Sequence, residues 1–324
     1  MKYLVTGGAG FIGSHIVDCL LEAGHKVVVL DDFSLGRKEN LSPHKSNMNL
    51  MIYRKSICDD LSDLFELEKI GAVIHTAALP RVQFSIKLPW ETHQVNVNGT
   101  LNLLEHCRRF GVPRFVFSSS SSIYGPQEKL PVTESLIPNP ISPYAVQKLV
   151  GEQYCRLYHQ LYGLETVCLR YFNVFGPRQN PNGDYAGLIP KFIKLIEEGK
   201  RPTINGDGEQ TRDFTYVSGV VEANLLATGT DDPECFGQVF NVGSGQDISV
   251  NAVTRELLKL SGSELEPVYG PALLEPRNSL ADVSKIRKLL GWEANVPFET
   301  GIKITHQFFA GRKLGRLTWK QVTA

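Results

Sequence analysis

Short apolar runs alternate with amphipathic stretches through the first half of the chain. Residues 2–6 (KYLVT), 26–32 (KVVVLDD), 72–78 (AVIHTAA), 114–120 (RFVFSSS) and 166–172 (TVCLRYF) are rich in β-branched and aromatic residues. Continuous apolar strands of this kind are buried on both faces. Between the first two, Phe11, Ile12, Ile16, Val17, Leu20 and Leu21 recur at helical spacing, which predicts an amphipathic helix. Further helices are predicted near 91–110 and 142–162. Strands alternating with helices imply βαβ units, hence an α/β fold built on a doubly wound parallel sheet. After about residue 175 the pattern changes. Residues 176–187 (GPRQNPNGDYAG) predict a long loop, and loops of that length in compact domains are usually functional or disordered. Mixed helices and short strands follow.

The 324 residues suffice for one large domain or two modest ones. Lys plus Arg equals Asp plus Glu at 34 each, so the overall charge gives no support for a nucleic-acid or membrane-surface role. No apolar run reaches the roughly 20 residues that span a bilayer. The N-terminus enters a strand at once, leaving no room for a signal peptide. Six cysteines are scattered without a CxxC and read as reduced thiols of a cytoplasmic protein. The eight histidines have no metal-ligand spacing, so no metal is expected. The basic C-terminal stretch GRKLGRLTWKQVTA reads as a solvated or frayed terminus.

Residues 6–15 (TGGAGFIGSH) place Gly7, Gly10 and Gly13 between the first strand and the first helix. The first glycine allows a tight turn. The second lets a pyrophosphate approach the main chain, and the third permits close helix–strand packing. The helix N-terminus attracts the negative charge. This predicts a dinucleotide site, a Rossmann arrangement. Asp31, with Asp32 beside it, lies 18 residues after Gly13, placed to hydrogen-bond a ribose hydroxyl and to repel a 2′-phosphate. NAD is therefore favoured over NADP.

The serine run FSSSSSIYG (117–125) precedes SPYAVQK (142–148), in which Tyr144 and Lys148 share a helical face. An ammonium there favours the phenolate electrostatically. The tyrosine could then take a proton from a sugar hydroxyl near neutral pH.

These motifs, with NVNGT, RYFNVFGPRQNPNG, INGDGEQTRDF, FNVGSG and SLADVSK, resemble the extended short-chain dehydrogenase/reductases, and within them the UDP-hexose 4-epimerases. The resemblance covers nearly the whole chain. It implies an NAD-binding Rossmann domain over 1–175, re-entered near 213–245, and a UDP-sugar-binding domain over 176–324. It implies catalysis by Ser120, Tyr144 and Lys148. NAD would be held by Gly7, Gly10, Phe11, Ile12, Gly13, Asp31, Asp32, Ile57, Ala77, Ala78, Asn96, Ser118, Tyr144, Lys148 and Tyr171. The UDP-sugar would meet Ser120, Ser121, Ser122, Tyr144, Asn173, Leu188, Ile189, Asn205, Arg212, Arg277 and Ser279. A homodimer is implied as well.

Related 4,6-dehydratases carry Asp and Glu where this chain has Ser121 and Ser122, and related decarboxylases carry a Glu at the second. Oxidation and re-reduction at C4 is therefore the expected chemistry. Ser279 stands where galactose-restricted epimerases have a tyrosine. The small side chain leaves volume for an acetamido group, so UDP-GlcNAc and UDP-GalNAc are expected substrates alongside UDP-Glc and UDP-Gal. The alternatives are a UDP-glucose-only or UDP-glucuronate 4-epimerase, or a nucleotide-sugar dehydrogenase or reductase that releases NADH. Three departures from the family pattern stand out: Ser56 where an adenine-binding Asp is common, LLEPRNS in place of the usual Gly-Asp, and no arginine about seven residues before Ser279.

Overall fold

The computed structural model describes residues 1–80, 82–182, 186–272 and 276–311. Its strands are β1 (Lys2–Thr6), β2 (Lys26–Leu30), β3 (Leu50–Tyr53), β4 (Ala72–His75), β5 (Arg114–Ser120), β6 (Glu165–Tyr171), β7 (Thr203–Asn205), β8 (Thr211–Asp213), β9 (Gln238–Val242), β10 (Asp247–Ser249) and β11 (Val268–Gly270). Its helices are α1 (Phe11–Glu22), α2 (Ser62–Glu68), α3 (Val82–Lys87), α4 (Pro89–His93), α5 (Thr100–Phe110), α6 (Pro143–Tyr162), α7 (Leu188–Glu197), α8 (Val217–Gly229), α9 (Val250–Ser261), α10 (Ser284–Leu290) and α11 (Phe298–Phe309).

Seven strands form one parallel sheet in the order β3-β2-β1-β4-β5-β6-β9. The order reverses between β1 and β4, and ligands of open α/β sheets bind at such a switch point. One face is covered by α2, α5 and α6, whose Phe65, Leu104 and Tyr158 pack with Phe115 and Phe117 of β5. On the other face Ile16 and Leu20 of α1 and Val221 of α8 join Val5 and Val29. Burial on both faces explains why these strands carry no polar alternation.

β5 and β6 run as the sequence pattern predicts, within one residue at each end. The second strand ends at Leu30, so Asp31 and Asp32 lie just past it, in the crevice above the strand ends. The helix expected over 91–110 is continuous, with α4 running into α5 through a π-helical stretch at Gln94–Gly99. α6 starts cleanly, with Ser142 Oγ accepting from Ala145 N and Pro143 at the first position. It stops at Gly163, whose φ is 71°. After β6 the chain forms two small two-stranded sheets, β8 with β10 and β7 with β11, and returns to the large sheet at β9. Asp213 fastens this part: its carboxylate accepts from Ser244 N (2.6 Å), Ser244 Oγ (2.7 Å), Gly245 N (3.1 Å) and Ala281 N (3.1 Å).

Candidate active site

One cavity of about 1200 Å³ runs along the carboxyl ends of β1, β2, β4, β5 and β6 and on toward α7 and β7. Every residue expected to bind cofactor or substrate lines it, with the exception of Asn96. Asn96 lies buried behind the wall. Its Oδ1 accepts from Leu79 N (2.8 Å), and its Nδ2 donates to Leu79 O (3.0 Å) and Gln147 Oε1 (2.8 Å). Both polar atoms of the amide are engaged by protein. It holds the segment after β4 in place.

The glycine turn has no room for larger residues. Gly7 adopts φ +66°, and a Cβ there would sit 2.8 Å from Ala77 Cα. A Cβ on Gly13 would sit 2.2 Å from Gly7 O. Gly10 is the N-cap of α1 and supplies no capping side chain. The first N–H groups of the helix are thus left for an anion. Asp31 is buried; its carboxylate accepts from Ala9 N (2.9 Å) and Phe33 N (2.8 Å), and burial raises its pKa. Asp32 is turned to its own loop, accepting from Ser34 N and Oγ. A dinucleotide suits this cradle: glycine at the turn, open N–H donors for a pyrophosphate, and a carboxylate at the ribose position.

The serine run is the tip of β5 and an ensuing 3₁₀ turn, Ser121–Tyr124. Its hydroxyls do different things. Ser118 Oγ lies 3.0 Å from Tyr171 OH. Ser119 Oγ donates to Glu152 Oε1 at 2.5 Å. Ser120 Oγ accepts from Ser122 N at 3.2 Å, and its own hydrogen has no acceptor among the described residues. Ser122 Oγ is buried without a partner among the described residues.

Lys148 Nζ donates to Ser118 O at 2.7 Å and sits 5.9 Å from the Tyr144 ring centre. Burial drives the Lys148 pKa down to about 8, opposed by Cys155 and Glu152. Tyr144 is half-buried in the cavity wall, anchored by its N–H to Ser85 Oγ at 3.0 Å. Tyr171 is a different kind of tyrosine. Its hydroxyl accepts from Asn224 Nδ2 (2.8 Å), and burial pushes its pKa up to about 12. It forms floor, whereas Tyr144 stands in the cavity wall one helical turn before Lys148.

On the far side Asn173, at φ +23°, donates to Asp213 O (3.1 Å) and Ser279 Oγ (3.4 Å). Arg212 Nη1 donates to Arg277 O at 2.8 Å, and Arg277 Nη2 pairs with Asp207 at 2.8 Å near the surface. Leu188 and Ile189 open α7, and Asn205 ends β7.

Sequence reasoning missed the strap at 176–182. Arg178 Nη2 pairs with Asp18 of α1 at 2.6 Å, and His15 Nε2 lies 3.0 Å from Pro177 O. Arg37 donates to Asn180 Oδ1 at 2.9 Å. The strap lies across α1 and the loop after β2. Its signal was the GPRQ segment, read only as loop. Among the described residues no cluster of His, Cys, Asp and Glu could hold a metal ion. No described helix is long and apolar enough to cross a membrane.

A profile of the NAD dependent epimerase/dehydratase family matches residues 3–243. The UDP-glucose 4-epimerase of Mycolicibacterium smegmatis is 39% identical, covering 96% of this chain and 99% of its own length. Among solved structures, the UDP-glucose 4-epimerase of Thermotoga maritima, bound to UDP-glucose, is 41% identical with a TM-score of 0.91 over 96% of this chain and 99% of that one. The UDP-N-acetylglucosamine 4-epimerase of Methanobrevibacter ruminantium, bound to UDP-N-acetylmuramic acid, is 37% identical, again with a TM-score of 0.91 and coverage of 96% and 99%. The glycine cradle, the Tyr144–Lys148 pair and these whole-length likenesses agree: the chain belongs to the NAD dependent epimerase/dehydratase family, in its UDP-sugar 4-epimerase group, and is an NAD-dependent enzyme.

Proposed function

We propose that the chain interconverts UDP-GlcNAc and UDP-GalNAc as well as UDP-Glc and UDP-Gal by inversion at C4. The observation that carries this is the make-up of the cavity around Ser120. The acidic residues lining the cavity, among the described residues, are Asp31, Asp32 and Asp207. None belongs to the Ser120–Ser122 wall, so elimination or decarboxylation has no carboxyl group beside the sugar. Tyr144, with Lys148 behind it, takes the proton of the 4-hydroxyl, and Ser120 donates to that oxygen to orient it. The Gly7–Gly13 turn and Asp31 would hold NAD, which would supply a hydride acceptor and donor for C4. The cavity must let the sugar present its other face in between. Arg212 and Arg277 suit the diphosphate, and Lys191, also in the lining, adds a third cation.

Ser279 supports the N-acetyl reading, because a small side chain beside Asn173 leaves the C2 side of the sugar open. The seven-stranded layer would hold the cofactor and the part after β6 the nucleotide sugar. The same reading includes a cytoplasmic homodimer.

The test incubates purified protein, without added NAD, separately with UDP-GlcNAc and UDP-glucose, and follows products by proton NMR. UDP-GalNAc formation at least as fast as UDP-galactose formation is expected. UDP-galactose alone would discard the pocket argument. NADH accumulating beyond the enzyme concentration would show a net dehydrogenase instead.

A further inference from the structure

Behind the serine run lies a buried polar chain that no step above uses. Glu152 follows Lys148 by one helical turn on α6. Its Oε1 accepts from Ser119 Oγ (2.5 Å) and Arg170 Nε (2.9 Å), and its Oε2 accepts from Arg170 Nη2 (2.7 Å). The two side chains are 2% and 5% exposed. Arg170 Nη1 donates to Tyr124 OH (2.8 Å), and Tyr124 OH donates to Asn241 Oδ1 (2.6 Å). Asn241 Nδ2 donates to Val132 O (3.0 Å) and Asp282 O (3.2 Å), three residues beyond Ser279.

We propose that the Glu152–Arg170 pair is a positioning element of the reaction centre, clamping the serine-bearing strand to the helix that carries Tyr144 and Lys148. The inference rests on the epimerase reading above. Two adjacent residues of β5 are pinned to α6: Ser118 by Lys148 Nζ at its carbonyl, Ser119 by Glu152 at its hydroxyl. Ser120 is the next residue, so its distance from Tyr144 is set by these two bonds. The pair also acts electrostatically. Tyr144, Glu152 and Cys155 on its own helix, His75 on β4, and across Ser118 the Tyr171 phenol on β6 are the titratable groups about Lys148. His75 is neutral, held by Thr6 and Thr100 with its pKa lowered to about 3 by burial. Tyr171 stays protonated. Burial disfavours the ammonium form of Lys148, and Cys155 and the Glu152 carboxylate oppose that effect.

The experiment compares wild-type holoenzyme with E152M/R170M, which replaces the pair by apolar side chains of similar length and leaves no lone buried charge. ¹³Cε-lysine NMR follows the titration of Lys148, its resonance assigned with K148R. The double variant is expected to fold and retain cofactor. Its kcat should fall about tenfold to a hundredfold from a misplaced serine tip, with KM within about twofold. The Lys148 midpoint and the alkaline limb of the kcat profile should both move to lower pH. S119A cuts the bond from β5 to Glu152 and keeps both charges, so it should lower kcat with the Lys148 midpoint unmoved. An unmoved Lys148 midpoint in the folded double variant, or wild-type kcat in it, overturns the proposal. A wild-type protein that turns over no UDP-sugar would instead refute the epimerase reading, while the lysine titration would still test the pair.

Discussion

At the scale of residues, chemistry is divided among side chains that look alike in sequence. Tyr144, Tyr171 and Tyr124 all border the cavity, yet burial pushes the last two up to about 12. Removing the Tyr144 hydroxyl with Y144F should leave NAD and UDP-sugar binding intact and lower turnover by about 10²–10⁴-fold, as expected for loss of a general base. Calorimetry beside the NMR assay separates the two effects. Lys148 gives a pH signature. Its folded pKa of about 8 lies below its ordinary 10.5, so its burial opposes folding fully below pH 8. Between those values the unfolded chain binds the extra proton, and stability rises with pH. The unfolding free energy of wild type minus that of K148M should therefore increase from pH 7.5 to 10.5, by up to about 3 kcal/mol. A flat difference in denaturant titrations would contradict this. S279Y should retain UDP-glucose turnover and lose UDP-GlcNAc turnover, which competition between the two substrates would read directly.

At the scale of elements, local signals were legible and distant pairings were not. The glycine turn and the Tyr144–Lys148 spacing each lie within one short segment, so sequence located them and the structure brings both to one cavity. β3 was not among the strands read from the apolar pattern: its run, LMIY, is only four residues long, and periodicity alone does not tell so short a run from a helical segment. The strap is held by Arg178 with Asp18, and the buried pair by Glu152 with Arg170. Neither partner announces the other in sequence, because tertiary packing alone joins them. The partners of Asn96, Leu79 and Gln147, are likewise joined to it by packing alone. The glycine turn is closely packed. G13A would drive a methyl into Gly7 O, so it should lower stability by about 1–3 kcal/mol and reduce the NAD content of the purified protein, measured by cofactor release on denaturation.

At the scale of the molecule, the part after β6 is joined to the large sheet through β9 and through the Asp213 carboxylate with its four donors. D213A would take this acceptor from the N–H groups of Ser244, Gly245 and Ala281, each costing about 1–3 kcal/mol where it stays dry. UDP-sugar affinity should fall before NAD affinity does, since Asn173 and Ser279 flank this joint and the glycine turn does not touch it. Calorimetric titration with each ligand would show the order. Surface behaviour follows from the balanced charge of 34 cations and 34 anions: solubility should pass through a minimum near neutral pH.

The buried Glu152–Arg170 pair also constrains how this sequence can change over generations. Losing either member alone strands a charge in the interior, at about 3–5 kcal/mol, against a total stability of about 5–15 kcal/mol. Exchanging both for apolar residues avoids that loss, yet every one-step route passes through a stranded intermediate. The pair is thus an epistatic trap. Descendants of this chain should keep both residues or replace both, and substitutions at 152 and 170 should covary.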